Sequence, residues 1–492
     1  MKKISYKKLT IAVIVIASIL RILFALSHSV SGDACWHLSV ARFMAAENKI
    51  PLYEGLGRLE PFWAPPVFHF SAALLYKIFN VISANAADLG ARLASPIFGI
   101  LTIFVSYLII RKLADEKTAF YAMIFIGFLP LSIDYNVLGY VESAVAFFSV
   151  LSVYFMLNNR IILSAISIGL ALLSKYNAIF FIPMLIYLAY AQSKDKKSGL
   201  SRIAVYGLVS VAVSATWFIR NYILLKNPVW PFLNDVFHGV AIGTYFSTTD
   251  YKPLFYFKTY LNSYLELFGV PNGNLELLTF VKLPFIKFLV LAWLMGTFIF
   301  FFPFIRGFFK IKFLRRKHFA ISLYILLLFF AVQFVVYVLS LGWFGSRLLL
   351  PIIPFMGLIW AIGLRKIKIE EIYVFIILII CIGFVFAEAI KFHIAAKEWG
   401  VYSKDFEWAR ENTNQNDLFY GNGQCLPYNI NRLVVSHKKQ IDFSEVDYAW
   451  VNNKWKIDFL MDNNALERIK SSDKLDIVYS NPDSGTIIYK SR

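Results

Sequence analysis

Charged residues are scarce in this chain. Only 16% of its 492 residues are Asp, Glu, Lys or Arg, and 58% are hydrophobic. A soluble domain usually has about a quarter charged residues. Several apolar runs are long enough to cross a hydrocarbon core of about 30 Å. The composition therefore predicts a mainly α-helical polytopic membrane protein.

Cysteine is also rare. The three cysteines, Cys35, Cys381 and Cys425, lie far apart, and the chain has no CxxC motif or Cys/His cluster. This spacing predicts neither a disulfide framework nor a zinc site. The cysteines therefore do not identify the compartment.

The familiar motifs for phosphate binding and hydrolysis are absent from the sequence. It has no phosphate-cradling P-loop, and it has neither a serine nucleophile elbow nor an HExxH zinc motif. The remaining side chains favour catalysis by acid–base and electrostatic means.

The net charge of +18 is distributed as the topology of a membrane protein requires. Lys and Arg collect in short loops on alternate sides of successive apolar runs, as the positive-inside rule describes, so the charge does not indicate a nucleic-acid partner. A cytoplasmic N-terminus, an uncleaved first span and about eleven spans in the cell membrane satisfy this pattern. The predicted spans are 9–26, 93–110, 120–131, 143–157, 161–173, 178–191, 203–219, 283–302, 319–341, 348–364 and 372–389. Residues 28–90 and 220–282 then form long extracytoplasmic loops.

The composition changes near residue 397. Residues 1–395 are predicted to form the membrane domain, and residues 396–492 a small soluble extracytoplasmic α/β domain. Four short apolar runs between turn signals indicate strands, and two further stretches fit helices. The predicted strands are 433–435, 448–451, 476–479 and 486–489, and the predicted helices are 406–411 and 465–469.

Two acids stand out at predicted outer membrane edges. Asp33 begins an amphipathic run, and His37 follows four residues later on the same helical face. Glu142 lies at the outer end of the fourth span, and ionisable groups in or beside apolar segments mark functional sites by default. Each acid also fits a helix-capping role, and His37 fits a structural one. Asp134 is predicted to be a solvated loop residue.

Three cations break the positive-inside pattern at outer edges: Lys175, Arg220 and Arg347. An anionic group at that depth would account for them, and phosphate is the obvious candidate, since Arg binds it bidentately and Lys binds it as a point charge. Snorkelling to lipid headgroups is the alternative. Trp63, Trp230 and Trp343 fit an interfacial aromatic belt, although a sugar ring could also stack on any of them.

Five motifs in order resemble one family. They are Gly32-Asp33 with His37-Leu38, Trp63-Ala64-Pro65-Pro66-Val67-Phe68-His69, Leu172-Leu173-Ser174-Lys175-Tyr176-Asn177, Trp217-Phe218-Ile219-Arg220-Asn221 with Asn227-Pro228-Val229-Trp230-Pro231, and Arg347-Leu348-Leu349-Leu350-Pro351. Together they resemble the membrane glycosyltransferases of the GT-C fold, in the branch of protein O-mannosyltransferases and aminoarabinose transferases (families 39 and 83). The resemblance covers about residues 9 to 390.

The resemblance implies transfer of a sugar from a polyprenyl (dolichyl or undecaprenyl) phosphate to an extracytoplasmic protein, lipid or glycan, usually with inversion. Asp33 matches the acid of the first outer loop and Glu142 the second acid. The family often has two adjacent acids in that loop, whereas Ala34 follows Asp33 here. This departure leaves open whether Asp33 is base, metal ligand or positioning residue. We predict that Asp33 and Glu142 are the catalytic acids and that Asp33 is the base, which takes the proton of the acceptor hydroxyl in an inverting single displacement.

The remaining site residues are assigned from the same motifs. Lys175, Arg220 and Arg347 are predicted to bind the donor phosphate, and Trp63 and His69 belong to the substrate loop. Asp33, His37 and Glu142 could instead hold a divalent ion such as Mg²⁺ or Mn²⁺. A transporter or flippase of a lipid-linked or small anionic substrate is the alternative function, although the inverted repeats typical of transporters are not found.

Overall fold

The structure is a computed structural model that describes residues 5–52, 61–240, 266–267, 298–314, 316–341, 345–367, 370–421, 425–436, 441–452 and 463–492. Most of the predicted outer loop 220–282, the first part of the eighth predicted span and Trp343 lie outside these residues.

The described residues up to Gly400 are mostly helical. The helices are α1 (Tyr6–Ser27), α2 (Asp33–Glu47), α3 (Val67–Asn80), α4 (Ala84–Arg92), α5 (Ala94–Leu113), α6 (Glu116–Phe128), α7 (Pro130–Val137), α8 (Glu142–Leu157), α9 (Ile161–Leu172), α10 (Ile182–Ala191), α11 (Lys196–Leu225), α12 (Asn234–Phe237), α13 (Phe298–Phe308), α14 (Lys317–Leu341), α15 (Ile353–Leu364) and α16 (Glu370–Gly400). Two 3₁₀ segments, Tyr176–Phe181 and Ser346–Ile352, precede α10 and α15.

Every predicted span overlaps one of these helical segments. Among the described residues, six helices are long and apolar enough to cross a membrane, and α6 with α7 makes a seventh if this bent pair is one span. Four more apolar segments are only 10–17 residues long. The polytopic helical architecture is thereby confirmed, and the number of eleven spans stays a prediction.

The bend between α6 and α7 turns the chain toward the start of α8. The two helices meet at 57°, where Pro130 lacks the N–H that would continue the helix ladder. The buried Arg21 of α1 fills the gap, since its Nη1 donates to the Gly127 carbonyl at 2.9 Å and its Nη2 to Ser132 Oγ at 2.9 Å. The interrupted backbone is therefore satisfied by a cation from a neighbouring helix.

The described residues of the predicted first outer loop include the helices α2, α3 and α4. Helix α2 begins after Gly32, whose φ of +58° is unstrained only for glycine. A Cβ at this position would also lie 3.3 Å from Tyr140 Oη. The sharp turn at Gly32 thus places Asp33 in the first turn of α2, beside the loop that precedes α8.

The described residues of the C-terminal part form a mixed sheet of five strands. Its strands are β1 (Leu418–Gly421), β2 (Leu433–Ser436), β3 (Tyr448–Asn452), β4 (Leu475–Asn481) and β5 (Thr486–Ser491), in the order β2-β1-β3-β5-β4. β1 pairs in parallel with β2 and β3, whereas β5 pairs antiparallel with β3 and β4. Helices α17 (Ser403–Asn412), α18 (Leu426–Ile430) and α19 (Asn463–Lys470) complete this part.

The α/β secondary structure predicted for the C-terminal part is confirmed, and its division from residues 1–395 as a separate domain stays a prediction. Each of the four predicted strands and both predicted helices falls within an observed one. Strand β1 was missed, although its apolar run Leu418-Phe419-Tyr420 is as long as the run that predicted β2. The boundary predicted between residues 395 and 396 lies inside α16, which continues from the membrane part to Gly400.

The part of the cysteine prediction that concerns disulfides is wrong. Cys35 of α2 and Cys425, next to α18, form a disulfide across 390 residues, with a Cα–Cα distance of 5.0 Å. Sequence spacing cannot reveal such a pair, because the fold alone brings the two residues together. Cys381 is a buried free thiol.

Polar contacts reinforce the junction at the disulfide. Arg42 of α2 donates from Nη1 to the Tyr428 carbonyl and to Asn431 Oδ1, both at 3.0 Å. Its guanidinium also lies over the Tyr428 ring, 4.9 Å from the centroid, and binds Asp88 of α4 at 2.8 Å. The C-terminal domain is therefore attached directly to the helix that begins with Asp33.

Candidate active site

Four of the sequence-predicted residues form one chain of ion pairs. Asp33 Oδ2 lies 2.5 Å from Arg347 Nη2, and Arg347 Nε lies 3.3 Å from Glu142 Oε1. The same Glu142 oxygen accepts a hydrogen bond from Lys175 Nζ at 2.6 Å. Two acids and two cations thus alternate across a single site.

Each of these four residues stands where a helix begins. Asp33 and Glu142 are the first residues of α2 and α8. Lys175 directly precedes the 3₁₀ segment Tyr176–Phe181, and Arg347 is the second residue of the 3₁₀ segment Ser346–Ile352. A carboxylate is stabilised by the partial positive charge of a helix N-terminus. The helix dipole does not stabilise the two cations at a helix N-terminus, so the ion pairs with the two carboxylates are what stabilise them at these positions.

The two acids differ in access. The Asp33 side chain is 38% exposed, whereas that of Glu142 is 0% exposed. Among the described residues, Glu142 Oε2 has no hydrogen-bond partner. Asp33 can therefore meet a substrate, and Glu142 is placed to organise Lys175 and Arg347.

The electrostatic surroundings keep Asp33 ionised. Desolvation raises the pKa of its carboxyl, but Arg347 and then His37 and Lys175 lower it, so that the pKa lies well below its usual range. A carboxylate with so low a pKa is a weak base, since a general base works best with a pKa near the operating pH. Any change that moves Arg347 away would strengthen Asp33 as a base.

Arg220 is not part of this ion-pair chain. Its guanidinium donates to the carbonyls of Phe62 at 2.9 Å and Pro51 at 3.0 Å, and it lies over the Trp217 ring at 4.6 Å. These contacts hold the backbone on both sides of residues 53–60. The structure thus gives Arg220 a different set of partners from Lys175 and Arg347.

His37 and His69 meet one turn away from Asp33. Nδ1 of His37 and Nε2 of His69 are 3.0 Å apart, so one ring nitrogen donates and the other accepts. Burial lowers the pKa of His37 to about 3 and that of His69 well below its usual value. Both imidazoles are therefore neutral near pH 7.

Aromatic rings surround this histidine pair. Trp36 stacks against Trp63 with a centroid distance of 6.4 Å, and its ring lies 6.0 Å from that of His69. Trp63 is half-buried and so borders the site. Trp230, predicted to lie in an interfacial belt, is instead buried, and its Nε1 donates to the Val240 carbonyl at 2.8 Å.

The predicted metal role of Asp33, His37 and Glu142 receives no support from this geometry. Across the described ranges, no group of three His, Cys, Asp or Glu side chains is placed to hold a metal ion. Arg347 instead occupies the space between the two carboxylates. We therefore assign no step to a metal, and the metal role stays a prediction.

Tyr140 borders the site without having been predicted, and the surroundings of Asp134 differ from those predicted. The guanidinium of Arg347 lies 4.9 Å from the centroid of the Tyr140 ring, and burial raises the pKa of Tyr140 to about 12. Asp134 is buried and bound to Lys391 at 2.5 Å, so the prediction of a solvated residue is wrong. Only the position of Tyr140 two residues before Glu142 could have signalled its role.

Comparison with known proteins gave one family match by sequence. The sequence model of the dolichyl-phosphate-mannose-protein mannosyltransferase family matches residues 64–218, about a third of the chain. This stretch contains Glu142 and Lys175. A comparison with curated protein sequences gave no significant match.

Solved structures match over almost the whole chain. ArnT from Cupriavidus metallidurans bound to undecaprenyl phosphate is 12% identical, with a TM-score of 0.65 over 97% of each chain. The oligosaccharyltransferase AglB from Archaeoglobus fulgidus, in complex with an inhibitory peptide and a dolichol-phosphate, is 13% identical, with a TM-score of 0.54 over 98% of this chain and 74% of that one. Its complex with Zn and sulfate is 14% identical, with a TM-score of 0.55 over 97% and 73%. The chain has the GT-C fold, and the resemblance to the membrane glycosyltransferases of this fold that its motifs predicted is confirmed.

Proposed function

We propose that this chain is an integral membrane glycosyltransferase that moves a sugar from a polyprenyl phosphate to an extracytoplasmic acceptor. One observation carries the proposal: two acids and two cations predicted from the sequence lie in a single ion-pair chain. The GT-C fold supports it, since the ArnT structure of this fold contains undecaprenyl phosphate and an AglB structure contains a dolichol-phosphate.

The transfer is an inverting single displacement. The acceptor hydroxyl attacks the anomeric carbon, the bond from that carbon to the phosphate oxygen breaks, and the phosphate leaves with the bonding electron pair. Asp33, the exposed acid, takes the hydroxyl proton. Arg347 and Lys175 stabilise the negative charge that grows on the phosphate.

Arg347 links donor binding to the basicity of Asp33. The same guanidinium contacts Asp33 and Glu142 in the structure, and an arriving phosphate competes for it. When Arg347 turns to the phosphate, the Asp33 carboxylate loses its strongest cationic partner and its pKa rises. The base therefore becomes effective only once the leaving group is in place.

Two independent features support an extracytoplasmic location for the site that contains Asp33. The positive-inside pattern puts Asp33 outside, and the Cys35–Cys425 disulfide joins two segments that must share an oxidising compartment if the bond is to persist. Because Cys35 is only two residues from Asp33, the disulfide and the ion-pair site are assigned to the same side of the membrane.

The direct test is a transfer assay. Purified full-length protein is incubated with a panel of undecaprenyl- and dolichyl-phosphate sugars and with membrane extract as the source of acceptor, and products that gain a hexose or pentose are identified by mass spectrometry. A parallel reaction with EDTA tests the predicted metal. Movement of donor across a vesicle membrane without a new glycosidic bond would instead support the transporter alternative.

Asp33→Asn provides the control for mechanism. We expect transfer to fall at least 10²-fold, because general-base catalysis typically contributes about 10²–10⁴-fold, while the affinity for polyprenyl phosphate is retained. Asp483→Asn removes a carboxylate from an exposed turn of the C-terminal domain and should leave transfer unchanged. Full activity of Asp33→Asn would remove Asp33 as the base.

A further inference from the structure

A cavity lies at the end of the helix bundle opposite the ion-pair site of Asp33, Arg347, Glu142 and Lys175, which is called the acidic site below. Helix α5 runs from Ser95, which contacts Ser143 beside Glu142, to Leu113 at the rim of this cavity. Helix α15 likewise runs from the Arg347 segment to Arg365. The cavity has a volume of about 630 Å³, which is within the range of small-ligand sites.

The lining of the cavity is strongly basic. Four cations face it, with one carboxylate, Asp115. The four are Arg306, Lys310, Arg365 and Lys366. Positive-inside topology accounts for cations on this side, but it does not require them to converge on one concave site.

The single carboxylate neutralises only one of the cations. Arg365 Nη1 pairs with Asp115 Oδ2 and donates to Thr118 Oγ1 at 3.1 Å. Arg306 and Lys366 are exposed and form no ion pair with any residue in the described part of the chain. An excess of positive charge therefore remains in the cavity.

The walls that carry these cations are held at a fixed spacing. Helices α13 and α15 approach through Gly307 and Gly363, where an added Cβ would lie 1.8 Å from the carbonyl oxygen of Ile359 or Pro303. Only glycine allows two backbones to come so close. Arg306 is adjacent to Gly307, and Arg365 and Lys366 follow Gly363, so close packing positions the basic groups.

We propose that this cavity binds a phosphate-bearing anion at the membrane face opposite the acidic site. Arg binds phosphate bidentately and Lys binds it as a point charge, and basic pockets between spans accommodate anionic lipid headgroups. The phosphate comes from the headgroup of an anionic phospholipid or from solution. The site is separate from the proposed transfer reaction.

The test measures binding to full-length protein in a neutral detergent by thermal shift and native mass spectrometry. The probes are dioctanoyl phosphatidylglycerol, inorganic phosphate and dioctanoyl phosphatidylcholine. We expect phosphatidylglycerol to bind, and the double variant Arg306→Gln/Lys366→Gln to weaken binding at least tenfold. Lys196→Gln/Lys197→Gln removes the same charge from exposed residues at the start of α11 and should bind like wild type.

The three probes separate the two sources of phosphate. Binding of phosphatidylglycerol alone assigns the cavity to a lipid headgroup, and binding of inorganic phosphate alone assigns it to a soluble anion. The proposal is overturned if neither anion binds, if phosphatidylcholine binds equally well, or if both double variants lose affinity to the same extent.

Discussion

Arg347 is the residue on which the site depends most, because it contacts both acids at once. Removing it would leave the buried Glu142 with Lys175 alone and would leave Asp33 without its closest cation. Arg220, predicted for the same task, instead hydrogen-bonds to two backbone carbonyls. These two arginines therefore make a matched pair for experiment.

Arg347→Ala should weaken the affinity for undecaprenyl phosphate by about 10- to 100-fold, because a hydrogen bond to a charged group contributes about 1.5–3 kcal/mol. Arg220→Ala should lower the melting temperature and leave affinity near that of wild type. Fluorescence titration and thermal unfolding in detergent measure the two quantities. An equal loss of affinity in both variants would restore the phosphate role predicted for Arg220.

The buried histidine pair predicts sensitivity to mild acid. Burial lowers the pKa of His37 to about 3, so the folded protein keeps this ring neutral while the unfolded chain takes up a proton below about pH 6.5. The unfolded state then binds more protons, and stability falls as the pH falls, by up to about 1.4 kcal/mol per pH unit.

Thermal unfolding between pH 7 and 5 measures this effect, because most carboxylates remain ionised there. His37→Asn should make the loss of stability between pH 7 and 5 smaller, since the asparagine side chain does not titrate. His393→Asn, at an exposed position of α16, should keep the wild-type slope. A His37→Asn slope equal to that of wild type would show that this ring does not cause the acid sensitivity.

At the scale of helices, close packing between α13 and α15 depends on glycine. A Cβ on Gly307 would lie 1.8 Å from the Ile359 carbonyl oxygen, whereas one on Gly207 of α11 would meet nothing within 4 Å. The two positions compare the same substitution in a tight and in an open environment.

Gly307→Ala should destabilise the protein by about 1–3 kcal/mol, as overpacking usually does. Gly207→Ala should be neutral or stabilise slightly, because alanine favours the helix more than glycine does. Melting temperatures of the two variants check the expectation. An unchanged melting temperature for Gly307→Ala would mean that the helices can separate at little cost.

The helices and the ionic site could be predicted from the sequence to different extents. Long apolar runs indicated where helices lie, and Asp33, Glu142, Lys175 and Arg347 were noticed because charges at span ends are costly without a partner. The same rule also selected Arg220, because the rule detects a charged residue at an unusual position and does not identify the group to which that residue binds. Tyr140 was not selected, because its only signal was its position two residues before Glu142 and 27 tyrosines occur in the chain.

At the scale of the whole molecule, the disulfide and Arg42 join the membrane part to the C-terminal domain. The residues involved in this junction, Cys35 and Cys425, are buried, and residues of both parts belong to one hydrophobic core that includes Trp36, Phe68 and Trp450. The pairing depends on tertiary structure, which is why the order of cysteines along the chain could not predict it.

The disulfide predicts a specific thiol count. Protein denatured in SDS without reductant should show one reactive thiol, Cys381, and three after reduction. Cys35→Ser/Cys425→Ser should lose about 2–5 kcal/mol of stability, the usual effect of removing a native disulfide, whereas Cys381→Ala should keep the bond intact. Three thiols without reductant would contradict the Cys35–Cys425 pair.

The junction between residues 35 and 425 also constrains biosynthesis. A ribosome must translate 390 further residues after Cys35 before its partner exists, so the helices are inserted while α2 still lacks its covalent anchor. A nascent chain arrested before Cys425 would carry Asp33 on an untethered helix. The tether on α2 can therefore form only after the last segment has been made, and translation products truncated before Cys425 should have less sugar-transfer activity than the full chain even when every span has been inserted.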